Sequence, residues 1–237
     1  MDPAGAPVTL GAPVTLSCAA LSVREINQRL RALPASTRVT ITEPRGAHNL
    51  AVGLRHHLAI TIDGNAGYYI GGLGDGPDVT VNGFVGWGVG ENLMSGTVRV
   101  AGNASESAGA SAHGGLVVIA GDASSRAGIS LKGGIVAVAG DVGHMSAFMA
   151  QAGVLLVGGD AGESLGDSLY EAVVYVAGRV RSLGADARVE DLTEEDVLKV
   201  KDLITQTGFG HIDAENVTRV ASAKQLYNFD ALKDQRY

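Results

Sequence analysis

The most informative absences in this 237-residue chain concern cysteine, runs of positive charge and long apolar runs. The single cysteine, Cys18, excludes an internal disulfide, a paired-cysteine metal site and an iron–sulfur cluster held by this chain alone. It also favours a reducing, cytoplasmic location. The formal net charge is −7 and no run of lysine or arginine occurs, so nucleic acid is not expected as a partner. No apolar stretch reaches the roughly 18 residues that predict a membrane span, and no secretory signal is recognised near Met1.

Motifs that carry catalytic chemistry are also missing. The chain contains neither a GxGxxG dinucleotide loop nor a Walker A lysine motif. Its histidines have no metal-ligand spacing, and we interpret them as surface or corner residues; they are His48, His56, His57, His113, His144 and His211. Three carboxylates, Asp122, Asp141 and Asp160, recur at one repeat position. We interpret them as caps of turn N–H groups, with a cation ladder as the alternative.

Glycine, in contrast, is abundant and periodic. It fills 34 positions, and from Gly64 every nineteenth residue is glycine. These marker glycines are Gly64, Gly83, Gly102, Gly121, Gly140, Gly159 and Gly178. An aliphatic residue stands two and four positions before each of them, as Val79 and Val81 do before Gly83. Each repeat therefore contains a short strand with alternate residues pointing inward, and the marker glycine is expected to turn the following corner, where glycine supplies a positive φ.

A repeat of this length predicts a solenoid whose units cannot bury a core alone. Helical repeats and propeller blades need longer units, and the leucine–asparagine ladder of leucine-rich repeats is absent. We predict an all-β solenoid: a right-handed, single-stranded parallel β-helix of about seven 19-residue coils with short flanking helices. Glycine or alanine also recurs seven residues after each marker, at Gly71 and Gly90 for example, where a positive φ is expected.

The ends of the chain lack this period. Residues 1–20, which hold a tandem copy of Gly-Ala-Pro-Val-Thr-Leu, are predicted to be a flexible arm. Residues 21–36 form a capping helix that starts at a capping box, and residues 37–190 form the β-helix. Residues 191–237 form C-terminal helices and a docking tail; Thr193 is expected to cap the start of the first helix, Gly208 to end it, and Asp213 to begin the second.

The segment Gly86-Trp87-Gly88-Val89-Gly90 is a literal GXGXG, set among repeated glycine corners. With the blocks Gly67–Tyr69, Glu91–Gly96, Gly143–Met149, Gly162–Ala172, Ser182–Asp186 and Leu226–Phe229, it resembles the GXGXG domain of the glutamate synthase large chain. The resemblance covers residues from about 21 to the end. It is closest to the stand-alone GXGXG subunit of the N-methylglutamate synthase family and its glutamate synthase-like relatives.

The resemblance implies a structural subunit without catalytic, cofactor or metal residues of its own. It implies a hetero-oligomer with an amidotransferase-type subunit and an FMN-binding subunit, for ammonia or methylamine transfer in glutamate metabolism. FMN, with an iron–sulfur cluster as a further candidate, is then expected on a partner. The candidate partner contacts are His144, Met145, Phe148, Met149, Tyr227 and Phe229. Two alternatives stay open: the GXGXG-type β-helix subunit of a formylmethanofuran dehydrogenase or formyltransferase/hydrolase complex, and a β-helix acyltransferase.

Overall fold

The computed structural model describes residues 13–225, which form a parallel β-solenoid with two helices. The strands are β1 Val14–Ser17, β2 Arg38–Thr42, β3 Ala59–Asp63, β4 Asp75–Val81, β5 Ser95–Val100, β6 Leu116–Ile119, β7 Lys132–Val138, β8 Ala152–Val157, β9 Val173–Val176, β10 Ala187–Glu190 and β11 Thr218–Ser222. The helices are α1 Val23–Ala32 and α2 Glu194–Thr207. The predicted solenoid of about seven coils is confirmed, while its right-handed sense stays a prediction. Neither helix has the length and apolar content needed to cross a membrane.

The register of the sheet repeats the sequence period. Val79 pairs with Val98 and Val81 with Val100, and the same 19-residue step continues through β9. These aliphatic residues are buried and form the inner wall of one side of the tube. A second side is closed by single bridges between in-register residues, which are Val85, Ala104, Ala123, Val142, Ala161 and Val180. The coils therefore stack in register along these two rows of residues, which makes the solenoid a regular rod.

The marker glycines are needed for space rather than for an unusual backbone, which corrects the expectation that they supply a positive φ. Of the seven, only Gly64 has a positive φ. A Cβ at Gly83 would lie 2.7 Å from the backbone carbon of Gly64, and one at Gly102 would lie 3.0 Å from the carbonyl oxygen of Gly83. Real Cβ atoms rarely approach backbone this closely. Glycine therefore recurs here because consecutive coils touch at this corner.

The left-handed backbone lies instead in the turn that follows. Seven residues after the markers, the expected positive φ is confirmed at Gly71, Gly90, Gly109, Gly128, Ala147 and Gly166. The residues five and nine after each marker from Gly64 to Gly159 are also left-handed, although most are not glycine; Tyr69 and Leu73 are examples. Three left-handed residues per coil thus build one irregular side of the tube, called here the turn side.

The N-terminal end of the solenoid is closed as predicted by α1. Ser22 and Glu25 form the expected capping box, and the buried Ile26 and Leu30 join the core. The assignment of residues 1–20 to a flexible arm is wrong for Val14–Ser17, which form β1 and pair in parallel with β2. A four-residue strand is too short to show a period, and its partner lies about 25 positions away, so no local pattern marks it.

At the C-terminal end α2 lies across the outer face of the sheet. It begins at Thr193 in a capping box with Asp196 and ends at Gly208, whose φ is 80°, in agreement with the sequence. Its Val200 and Leu203 pack on outward-facing residues of the sheet, such as Leu156. The second helix expected from Asp213 is wrong: Asp213 and Asn216 form a turn, and the chain continues into β11. Strand β11 runs antiparallel to both β9 and β10, which ends the parallel stack.

A buried polar cluster fixes the start of α2 to the last coil. Tyr175 Oη donates to Asp196 Oδ1 at 2.5 Å, Arg219 Nε donates to the same oxygen at 3.0 Å, and Arg219 also pairs with Glu190. Burial acts to raise the pKa of Asp196, but hydrogen bonds from Tyr175, Thr193 and Arg219 outweigh it and hold that pKa well below its usual range. Burial and the hydrogen bond to Asp196 raise the pKa of Tyr175. The negatively charged Asp196 carboxylate therefore lies at the centre of this cluster of Tyr175, Glu190, Asp196 and Arg219, which we call the clamp.

Candidate interaction surface

An exposed group of aromatic side chains occupies the first coils. The His48 and Tyr68 rings stack with centroids 4.2 Å apart, and the Tyr68 and Trp87 rings stack at 5.3 Å. Tyr69 and Phe84 belong to the same two coils, and the four rings of Tyr68, Tyr69, Phe84 and Trp87 are each 40–55% exposed. We call the five residues the aromatic surface. Aromatic side chains with this much exposure are typical of sites that bind another molecule.

The GXGXG motif is what allows these rings to lie flat. A Cβ at Gly86 would lie 2.5 Å from Cδ1 of Tyr68, and one at Gly88 would lie 2.7 Å from Cδ1 of Tyr69. Gly88 also has a φ of 67°. The third glycine, Gly90, faces the core, where a Cβ would lie 2.6 Å from Val117 Cγ2. The motif therefore makes room for rings of the preceding coil and for a valine of a later coil, and it is no phosphate-binding loop.

A ladder of side-chain oxygens runs beside the marker glycines. Asp122 Oδ1 accepts from the Asp141 backbone N–H at 2.9 Å, and Asp141 Oδ1 accepts from the Asp160 N–H at 2.7 Å. Asn65, Asn103 and Asp160 accept in the same way. The interpretation of Asp122, Asp141 and Asp160 as caps of N–H groups is confirmed. The ladder ends at Arg179, whose backbone N–H and side chain both donate to Asp160 and lower its pKa.

Phe84 interrupts this ladder. From Gly64 to Gly159, the residue that follows the marker is asparagine or aspartate in every coil but one, where it is Phe84. Phe84 has no side-chain oxygen to offer the next coil, and its ring is 55% exposed. A local rule of the fold is thus broken where an apolar ring is presented to solvent, which is expected at functional positions.

One carboxylate belongs to the aromatic surface. A Cβ built on Gly88 would lie 2.8 Å from Glu91 Oε2 as well as 2.7 Å from Tyr69, so the carboxylate and the ring flank the same point. Burial raises the pKa of Glu91. Within residues 13–225 no cation forms an ion pair with it. The surface therefore combines exposed rings with a partly desolvated, unpaired negative group.

The cluster around His144 lies further along the same side. His144 and Met149 are exposed, Met145 and Phe148 are half-buried, and Ser146 and Ala147 between them are buried. His144 is four residues after its marker, as are Tyr68 and Trp87, so these side chains share one row of the turn side. Tyr227 and Phe229 lie outside the described residues. The structure thus places four of the six candidate contacts together and leaves their role as partner contacts a proposal.

A groove beside His144 is lined by charged side chains, and these side chains pair with one another. Arg179 Nη2 lies 2.9 Å from Asp160 Oδ2, and Arg181 Nη1 lies 3.8 Å from Glu163 Oε1. Among residues 13–225 no three histidine, cysteine or acidic side chains come together as metal ligands would. Cys18 is half-buried, and burial and then the nearby Glu43 raise the pKa of its thiol, which disfavours the reactive thiolate.

Sequence reasoning missed the aromatic surface as a site, although a signal was present. The chain has only 11 phenylalanine, tyrosine and tryptophan residues, and four of them fall between positions 68 and 87. It also missed the apolar residues on the outer sheet face, among them Val118 and Leu156, because alternation was interpreted only for the inner row.

Comparison with known proteins gives one informative relative. No family profile matches the chain, and no solved structure matches it. Protein GlxC of Rhizobium meliloti (strain 1021) is 46% identical over 218 residues, which make up 91% of this chain and 96% of GlxC. The similarity therefore extends over nearly the whole of both proteins. The chain belongs to the family of GlxC, within the glutamate synthase-like group whose GXGXG domain its sequence resembles.

Proposed function

We propose that the chain is a non-catalytic structural subunit of a multi-subunit glutamate synthase-like enzyme, with N-methylglutamate synthase as the leading case. It would hold an amidotransferase-type subunit and an FMN-binding subunit together for ammonia or methylamine transfer. FMN, and an iron–sulfur cluster if the complex has one, would be bound by a partner. The membership of the chain in the GlxC family supports the glutamate synthase-like part of this proposal.

The observation that carries the scaffold role is the placement of two exposed apolar groups on one side of a rigid rod. The aromatic surface reaches the coil of Gly83, and the His144–Met149 cluster belongs to the coil of Gly140. These coils are three steps apart, which corresponds to about 14 Å at the spacing of adjacent strands. Polar residues separate them, including Glu106, Ser125 and Arg126. A rod with two such groups can hold two partners at a fixed separation.

Co-purification tests the proposal. A tagged chain expressed in its own organism should bring down two proteins and a bound flavin, detected by mass spectrometry and by absorption near the flavin bands. Recovery of a colourless homo-oligomer would contradict a role in a flavin enzyme. Recovery of a metal-dependent amidohydrolase-type subunit instead would favour the formylmethanofuran dehydrogenase alternative. Acyl transfer from coenzyme A by the isolated chain would favour the acyltransferase alternative.

A substitution at Phe148 tests the second cluster. The ring is half-buried at the surface of the coil, so Phe148→Asp should weaken assembly at least tenfold while the melting temperature changes little. Calorimetry of the variant and the yield of co-purified partner measure the two effects separately. Leu198→Ser, at an apolar residue of α2 that is even more exposed, is the matched control and should leave assembly unchanged. Unfolding of the Phe148→Asp variant would show that Phe148 serves the core instead.

A further inference from the structure

We propose that the aromatic surface, together with Glu91, docks a segment of a partner subunit that presents an arginine side chain to the rings of Tyr69 and Trp87. This inference rests on the proposed function, because it names the contact by which one partner subunit is held. The partner chemistry follows from three properties of the surface: rigid exposed rings, a local cost in stability, and a negative charge without a cation.

The rings are held in place before any partner arrives. Tyr68 is stacked on both sides, by His48 and by Trp87, and the glycines of the GXGXG motif support Tyr68 and Tyr69 from the next coil. A side chain that is already ordered loses little conformational entropy on binding. Rigid, partly exposed tyrosine and tryptophan rings are also the residues that most often carry the binding energy of an interface.

Presenting this surface lowers the stability of the chain. Phe84 replaces a ladder residue, so a side-chain-to-backbone hydrogen bond available elsewhere along the same edge cannot form there. Tyr69 adopts a left-handed backbone with a φ of 59°, as the residue at this position does in the other coils, so this conformation belongs to the fold and not to the surface alone. The cost specific to this surface is the missing ladder hydrogen bond at Phe84, which accompanies an exposed ring.

The charge at the surface selects the partner. The Glu91 carboxylate and the Tyr69 ring flank Gly88, and Glu91 has no cationic partner within residues 13–225. Glu106 follows Trp87 on the next coil, where its carbonyl accepts from the Gly88 N–H at 3.0 Å. A guanidinium can stack on an aromatic face and donate to a carboxylate at the same time. An arginine from a partner therefore satisfies both the rings and Glu91.

A second copy of this chain fits less well. A symmetric dimer would place the same surface on both sides of the contact. The negative charges of Glu91 and Glu106 would then lie on both sides of the contact, and like charges brought together oppose association. A different protein with a basic segment does not have this conflict.

Trp87 provides a direct measurement because it is the only tryptophan in the chain. The chain is labelled with 5-fluorotryptophan and mixed with the unlabelled amidotransferase-type and FMN-binding subunits of its own organism, each in turn. One of the two should shift the single fluorine resonance and bind with a measurable Kd. Glu91→Arg, followed by the same resonance, and Trp87→Ser, which carries no label and is therefore followed by calorimetric titration, should each raise that Kd by about 30-fold or more, the value that 2 kcal/mol of interface energy represents. Glu91→Gln should reduce the dependence of Kd on salt.

The controls separate the possible failures. Glu171→Arg reverses an exposed charge on a distant coil and should leave the Kd unchanged. If neither subunit binds the wild-type chain, the proposed function fails. If a subunit binds the wild type and the Trp87 and Glu91 variants equally well, only the present inference fails. It also fails if Trp87→Ser only turns a dimer into a monomer, or if deletion of residues 226–237 shifts the fluorine resonance without a partner, because the surface would then be occupied by this chain.

Discussion

The outer face of the sheet is polar in its first half and apolar in its second. Four neighbouring positions on β2 to β5 are Thr40, Thr61, Thr80 and Arg99, and the same row continues on β6 to β9 as Val118, Ala137, Leu156 and Tyr175. The inner row does not change in this way, since it is aliphatic throughout. The 19-residue period therefore determines the buried aliphatic residues of every coil, while the outward-facing residues determine what each half of the solenoid contacts.

The two halves use their outer residues for opposite purposes. The apolar half is covered by α2, which hides Leu156 and Tyr175 from solvent. The first half keeps a polar outer sheet face, and on its turn side it exposes the aromatic surface. Apolar side chains in the second half thus stabilise the chain itself, whereas the exposed rings of the first half add little to the core and are available to another molecule. Three substitutions test this difference.

The largest expected effect comes from the covered face. Leu156→Ala should lower the free energy of unfolding by about 2–4 kcal/mol, because it removes buried methyl groups beneath α2 and leaves a cavity. Thr80→Ala, at the equivalent row position of the polar half, should change it by less than about 0.5 kcal/mol. Urea unfolding of both variants measures the contrast. Equal losses would mean that the polar half is also covered and that the two halves do not differ.

The next effect concerns the clamp at the start of α2 and depends on pH. The pKa of Asp196 lies below the value of about 3.9 that aspartate has in the unfolded chain. The stabilisation of the fold by this carboxylate is therefore fully present above about pH 5, and it is lost progressively as the pH falls below about 4 towards the lower pKa of the folded state. Asp196→Asn should cost about 2 kcal/mol at pH 7, since Tyr175 and Arg219 lose a charged partner. The difference from wild type should shrink towards pH 3.

Urea unfolding at pH 7, 5 and 3 checks the clamp prediction. Asp202→Asn, at an exposed carboxylate of the same helix, is the control and should give a small difference at every pH. A constant deficit for Asp196→Asn across the range would indicate that the side chain acts through packing and not through its charge.

The smallest effect has the opposite sign. Phe84→Asn should complete the oxygen ladder and raise the free energy of unfolding by about 0.5–1 kcal/mol, the usual net value of one hydrogen bond. The same variant should bind the partner subunit more weakly. Thermal unfolding and the fluorine titration measure the two changes on one protein. Asn103→Ala, which removes an existing step of the ladder, should lower stability by a similar amount, and a destabilised Phe84→Asn would show that the ring supports the fold.

The repeat could be predicted because it is local and redundant. Seven coils carry the same pattern, so the strands at Val79–Val81 and Val98–Val100 and the positive φ at Gly71 were evident from spacing alone. Helices α1 and α2 followed from capping residues that act within one turn. Elements without a period were missed: β1 and β11 depend on pairing with strands distant in sequence. The role of the marker glycines was misjudged because the contact that requires them joins residues of two different coils.

For the candidate site, the sequence identified the His144–Met149 cluster and the GXGXG motif but not how the motif works. The rings that Gly86 and Gly88 accommodate come from Tyr68 and Tyr69, 18 and 19 positions earlier. Spacing alone shows which residues share a row, but not whether a ring lies flat over the next coil or points away from it.

Helix α2 also sets a limit on how this protein can change in length. Its 14 residues span about 21 Å, close to the roughly 19 Å across the four strand steps between β5 and β9. It is fastened at both ends, by Asp196 to Tyr175 on β9 and by the Gln206 carbonyl to Arg99 Nη2 on β5 at 2.9 Å. Inserting or deleting one 19-residue coil between these points would leave one fastening about 5 Å out of reach. Helix α2 therefore fixes the number of coils between β5 and β9, whereas it places no such constraint on the number of coils before β5.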